Sequence, residues 1–195
     1  MDKNQVIRLQ KTMGVAPDGI IGRATLTAVF RKLGAGQVKA SNLAQAANIH
    51  FKKFGILDDY LIFAHFLAQA AKETGSFFYD EEIASGKAYE NRTDLGTVNL
   101  GDGVKFKGRG IFQLTGRANY ILYGKLLGID LVTNPAIVKQ PDISVLVACQ
   151  YWKQKKITDL ALKDDVVGVT KLINGGKNGL DERIAFLNKI KSWIA

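Results

Sequence analysis

A chain of 195 residues with 47% hydrophobic and 23% charged content has the composition of a folded globular protein with one domain of ordinary size and a small appendage. The formal charge of +9 points to an anionic partner, but the basic residues are spread along the chain, which argues against a nucleic-acid patch. A single cysteine excludes an internal disulfide, and no apolar run reaches the length of a membrane-spanning helix.

Residues 2–13 read as a short amphipathic helix with Val6, Ile7, Leu9, Gln10 and Met13 inward. The turn signal GVAPDG follows, then a second helix over Arg23 to Leu33 that Gly34 stops. Gly34 to Gly36 opens a linker ending near Ser41, so the chain divides into a helical module over 1–36 and a larger domain over 41–195. A hairpin this small needs a surface to dock on. Ser41-Asn42 is placed to cap a third helix running to Phe54.

The stretch DDYLIFAHFLAQAAKETG, from Asp58 to Gly75, predicts a buried helix: tandem aspartates cap it, nearly every position is apolar, and glycine ends it. His65, Gln69 and Glu73 stand at i, i+4 and i+8, on one stripe. An unpaired carboxylate on such a helix is costly. The negative end of the helix dipole and the apolar surroundings both favour the protonated form of Glu73.

Residues 76–117 are rich in Gly, Asp, Asn and aromatics without a helical period, and an irregular segment of that length is usually functional. Short strands are expected at Val104 to Lys107 and Gly110 to Leu114. Helices are expected again over Arg117–Leu127, Ile143–Gln154, Val166–Ile173 and Leu180–Ile194, the last amphipathic and basic. Its expected role is packing, with disturbance of an anionic outer membrane as the alternative. The result is a mainly α (α+β) protein whose helical domain carries a small β-containing lobe.

Most catalytic patterns are missing. Two histidines and one cysteine, without HExxH spacing, do not make a zinc hydrolase, and Cys149 sits in an apolar run as a structural thiol. GVKFKGRG has Arg109-Gly110 where a phosphate-binding loop needs Lys-Ser/Thr. Neither a metal nor another cofactor is called for. Carboxylates remain. A protonated Glu73 suits general-acid chemistry on a glycosidic bond, and its partner would be Glu81, Glu82 or Glu90. The reversal at Gly75-Ser76 brings a separation of roughly 6.5–9.5 Å, that of inverting enzymes, within reach.

Two resemblances sharpen this. LQKTMGVAPDGIIGRAT resembles the short peptidoglycan-binding module of bacterial cell-wall enzymes, through Leu9-Gln10, Asp18-Gly19, Gly22 and Thr25. Further on, AQAAKETGSF, EEIASG, GDGVKFKGRGIFQLTGRANY and KLINGG, in that order, resemble the family 19 glycoside hydrolases and, more narrowly, their phage and bacterial lysozyme-like endolysins. The resemblance implies a lysozyme-like fold, Glu73 as general acid, Glu82 as the best match to the second carboxylate, and Thr115 assisting the water. It implies Gln113, Asn119 and Asn174 as substrate contacts and Arg183 as the partner of the acid. Tyr79, with Phe77, Phe78 and Tyr89, is a candidate for stacking on sugars, and His65 and Gln69 for supporting the site. Ser76 stands where the family has a second glycine, and Asn178 stands near an acidic position of the plant enzymes.

The expected activity is that of an endolysin: inverting hydrolysis of peptidoglycan glycan strands by a monomer that binds no nucleic acid. The N-terminus lacks a signal-peptide pattern, so the protein is expected in the host cytoplasm, reaching the wall after a membrane lesion. The rivals are a chitinase on the same scaffold and a non-catalytic basic protein that binds the envelope.

Overall fold

The computed structural model describes residues 1–194. Its helices are α1 (Lys3–Met13), α2 (Arg23–Lys32), α3 (Gln37–Lys53), α4 (Tyr60–Glu73), α5 (Asp102–Lys105), α6 (Arg117–Leu127), α7 (Pro141–Gln154), α8 (Thr158–Ala161), α9 (Val166–Asn174) and α10 (Leu180–Lys191). The mainly α class stands. No described helix is long and apolar enough to cross a membrane.

At the centre lies α4. Asp59 caps it through the Leu61 amide, and every residue from Ile62 to Ala71 is buried. Phe66 is the hub of an aromatic cluster, with ring centroids 5.0 Å from Phe51, 5.1 Å from Phe112 and 5.3 Å from Trp152. Helices α3, α7, α9 and α10 complete this core. A second, smaller core holds Phe106, Leu114, Tyr120, Tyr123, Leu131, Val138 and Val147. Cys149 is a buried free thiol whose ionisation burial pushes far up, as expected for a structural position.

The hairpin α1–α2 docks: Val6, Leu9, Leu26, Val29 and Phe30 belong to the same apolar cluster as α4. Arg8 Nε donates to the Ile194 carbonyl at 2.8 Å. The motif residues of the hairpin serve its own interior. Buried Gln10 donates to Asp18 Oδ1 at 2.7 Å, the Ile20 carbonyl at 3.0 Å and Thr25 Oγ1 at 3.3 Å, and accepts from the Gly19 amide at 2.8 Å. This network is the physical reason for the Gln, Asp-Gly and Thr of the motif: it pairs both ends of the buried Gln10 amide and ties the turn to the buried Thr25.

Three boundaries differ from the sequence reading. Helix α3 begins at Gln37, capped by Gly36, not at Ser41. Ala40 is fully buried and extends the stripe of Leu43, Ala44, Ala47 and Phe51, so packing carries the helix back past the polar pair. Ser41 instead accepts a hydrogen bond from Arg23 at 2.8 Å. The strands expected at 104–107 and 110–114 do not form. Val104 and Lys105 lie in α5, and positive φ at Gly110 (74°) and Gln113 (48°) breaks the second run. Among the described residues β structure is reduced to isolated bridges, Glu81 with Arg109, Arg92 with Thr97 and Arg109 with Leu114. Finally α10 stops at Lys191, and its Arg183, Leu187 and Ile190 are buried against the core. The inner face of this basic helix is therefore occupied by packing.

The small lobe is fastened by Asp102, nearly buried, which accepts from Arg117 Nε at 2.8 Å and from the Asn99 amide at 3.0 Å. The Arg117 hydrogen bond holds the Asp102 carboxyl below its usual value of 3.8, against the opposing effect of burial. A depressed native value gives stability that is complete above about pH 4 and is lost as pH falls through the native value. Asp102→Asn is therefore expected to flatten the acid side of the stability–pH curve measured by urea unfolding between pH 2 and 6. Gln10→Ala removes these bonds, leaves the buried Thr25 hydroxyl without this partner, and is expected to cost about 1–3 kcal/mol in the same assay at neutral pH.

Candidate active site

A cleft of about 410 Å³ opens where the two apolar cores meet. Its walls are Glu73, Tyr89, Leu95, Phe112, Gln113, Leu114, Thr115, Asn119, Tyr151, Ile173, Asn174 and Gly175. Glu73 enters from the last turn of α4, and Asn174 from the last residue of α9. Asn119 stands in the first turns of α6.

Behind Glu73 lies a buried polar chain. Arg183 Nη2 donates to Glu73 Oε1 at 2.5 Å, with the guanidinium side chain 2% exposed and the carboxylate 14%. Arg183 Nη1 donates to Gln69 Oε1 at 2.5 Å, and Gln69 Nε2 donates to Thr170 Oγ1 at 3.2 Å. A full counter-charge thus stands against Glu73 in the fold, as the resemblance implies. His65 is not part of this chain. It is fully buried, and its Nε2 lies 2.9 Å from Asp164 Oδ1, whose other oxygen accepts from Lys191. Burial depresses its basicity, partly offset by Asp164. One stripe thus holds two separate networks, and His65 supports the joint between α4, the turn before α9, and α10.

After Glu73 the chain reverses. Gly75, Ser76 and Phe77 all have left-handed backbones, with φ of 55°, 60° and 66°. For non-glycine residues this costs about 1–2 kcal/mol each. The turn persists because Thr74 Oγ1 accepts from the Phe77 amide at 2.9 Å and the Phe77 ring packs edge-on against Phe30 at 5.1 Å. Phe77 is therefore core, whereas Phe78 is largely exposed. Tyr79 also departs from its expected place. Its ring lies over Gly75, where a Cβ would come within 3.0 Å, and it lines a separate small pocket with Lys39, Asp80 and Pro141. It does not face the cleft.

Beyond the reversal Glu82 is bonded to two loop residues, Gly108 and the cleft-lining Tyr89. The Gly108 amide donates to Glu82 Oε1 at 2.7 Å, and the Tyr89 hydroxyl donates to Oε2 at 2.8 Å. Gly108 also ties Glu82 to the cleft wall: a Cβ there would lie 2.9 Å from Gln113 Oε1 and 3.1 Å from Thr115 Oγ1. Thr115 Oγ1 donates to the Gln113 carbonyl at 2.8 Å, and Asn119 Nδ2 donates to the Thr115 carbonyl at 2.7 Å. Glu81 is engaged elsewhere, in ion pairs with Arg109 (3.2 Å), Lys139 (3.5 Å) and Lys107 (3.7 Å). Burial pushes its carboxyl up, but these three cations outweigh it and hold the group below its usual range. Glu90 follows the short turn Lys87–Tyr89 and is not among the cleft residues.

The structure thus gathers Glu73, Thr115, Gln113, Asn119 and Asn174 in one cleft, with Glu82 held against it and Arg183 and Gln69 behind it. It leaves Tyr79 and His65 outside. Phe112 and Tyr151 were not foreseen. Both belong to sequence patterns indistinguishable from core, and Tyr151 indeed anchors α9 by donating to the Leu172 carbonyl at 2.9 Å. Among the described residues no three His, Cys, Asp or Glu side chains gather in a way that would hold a metal ion.

The chain resembles known proteins over this same region. The family model described as "Chitinase class I" matches residues 59–183. A glycosyl hydrolase family 19 domain-containing protein of Haemophilus influenzae is 40% identical over 102 residues, 52% of this chain and 49% of its own length. An endochitinase of Arabidopsis thaliana is 36% identical over 131 residues, 67% of this chain and 45% of its own. The chain spans about half the length of these curated relatives. Among solved structures, a class IV chitinase of Zea mays superposes with a TM-score of 0.67 at 20% identity, covering 89% of this chain and 92% of that one. Chitinase C of Streptomyces griseus gives a TM-score of 0.61 at 18% identity, covering 97% and 75%. These two likenesses establish the fold, and the family model, which spans well over half the chain and runs from the cap of α4 to Arg183, establishes the kinship: the chain belongs to glycoside hydrolase family 19.

Proposed function

We propose that the protein hydrolyses the β-1,4-linked glycan strands of bacterial peptidoglycan, as an endolysin, by single displacement with inversion. Glu73, which lines the cleft and pairs with a buried arginine, and Glu82, which is held by the cleft-lining Tyr89 and by the Gly108 amide beside Thr115, are the observation that carries this reading. In it Glu73 protonates the leaving oxygen. Glu82, with Thr115, directs a water at the opposite face of the sugar and takes its proton. Arg183 supports the charge that Glu73 acquires as its proton leaves. Gln113, Asn119 and Asn174 offer neutral donors and acceptors suited to hydroxyls and N-acetyl groups.

Peptidoglycan is preferred over chitin because of the rest of the chain. The hairpin keeps the Gln10, Asp18-Gly19 and Thr25 pattern of wall-binding modules as an intact internal network. The net charge of +9 suits an anionic envelope. On this reading the protein acts as a monomer at the wall, after the membrane has been breached. Chitin is the second reading, favoured by the endochitinase names of the Arabidopsis relative and others.

Glu73→Gln is expected to keep the fold and lower muralytic activity by about 10²–10⁴-fold, measured by clearing of purified sacculi. Full activity in that variant would remove Glu73 from the mechanism. Mass spectrometry of digested sacculi identifies the new reducing ends and thus the bond cut. Release of soluble products from chitin, with sacculi left untouched, would replace the endolysin reading by the chitinase one. NMR of the first products on a soluble glycan is expected to show the inverted anomer, and a retained anomer excludes attack by water.

A further inference from the structure

The cleft wall nearest Glu82 is Tyr89, a residue without a role in the scheme so far. Its hydroxyl donates to Glu82 Oε2 at 2.8 Å, while the residue itself lines the cleft. Glu82 is not among the lining residues. We propose that Tyr89 is a positioning residue for the second carboxylate: its hydroxyl fixes the orientation of the Glu82 carboxylate that directs the water. The inference rests on the reading of Glu82 as the base.

The loop is built to hold this ring still. Thr97 is fully buried, and its hydroxyl donates to the carbonyls of Tyr89 and, at 3.1 Å, Arg92. The turn carrying Tyr89 is pressed against α5 through two glycines. A Cβ on Gly103 would lie 2.6 Å from the Glu90 amide nitrogen and 2.9 Å from the Tyr89 carbonyl carbon, and one on Gly86 would lie 2.5 Å from the Gly103 carbonyl oxygen. Side chains are excluded there, so the backbone approach is as close as atoms permit. With Gly108 on Oε1 and Tyr89 on Oε2, both carboxylate oxygens have a fixed donor, which is how a carboxylate is kept in one rotamer. Burial and the Glu82 hydrogen bond push the phenol up to about 12, so it remains a donor across the working pH range. Sequence reading offered Tyr89 only as a surface for sugars; the bond to Glu82 gives its hydroxyl, not its ring, the larger part.

Tyr89→Phe separates the two, because it keeps the ring and removes the donor. The expected result is a kcat about tenfold lower, with a KM within twofold of the parent. In a Glu82→Ala background the same substitution is expected to cost less than twofold, because Tyr89 would have nothing left to position. Thr97→Val, which loosens the carbonyl anchor without touching the phenol, is expected to lower kcat with KM unchanged. An unchanged kcat in Tyr89→Phe, or an equal loss with and without Glu82, overturns the inference. Full activity of Glu82→Ala alone instead overturns the assignment of Glu82 as the base.

Discussion

A helix buried on every side cannot leave its polar groups to water, and that constraint on α4 organises the molecule. The three polar side chains of the stripe His65, Gln69 and Glu73 must be met by partners from remote parts of the chain. Asp164 meets His65, while Thr170 and Arg183 meet Gln69, and Arg183 also meets Glu73. Those partners lie on or beside α9 and α10, which are thereby fixed against α4. The ion pair at the end of the stripe is at once a fastening of α10 and the chemical end of the site. Removing either partner leaves the other charge buried, so selection for folding and for chemistry act on the same two residues.

The second carboxylate depends on strain instead of burial. A helix continuing past Glu73 would carry Glu82 away from the cleft by roughly 13 Å. Three successive left-handed residues turn the chain back instead. Their conformational cost is met by packing, with Phe77 driven into the core against Phe30. Gly108 then links the two regions: its amide donates to Glu82, and any side chain on it would press on Gln113 and Thr115.

Sequence reading reached most of the helices because their apolar stripes and caps are local signals: Arg117–Leu127 and the Asp59 cap are found where expected. The strands expected at 104–107 and 110–114 do not form, because the backbone there follows the Asp102–Arg117 pair and positive φ at Gly110 and Gln113, which no local window reveals. The acid at Glu73 was visible as a charge in a place where charges are costly. Glu82 could not be separated from Glu81 and Glu90 by chemistry, because only the fold reveals that Glu81 is taken by three cations. Tyr79 and Tyr89 looked alike as exposed aromatics, and the direction of one turn decided that Tyr89 faces the cleft and Tyr79 does not.

The Phe30–Phe77 contact has a consequence for the way such proteins are assembled. Phe30 belongs to the N-terminal hairpin, and Gly34 just beyond it leaves room for Ser76, where a Cβ would approach the serine side chain to 2.8 Å. The hairpin therefore braces the reversal that follows Glu73. It supplies a wall of the mould in which that turn is cast, so exchanging it for a foreign segment would mean recasting the turn as well.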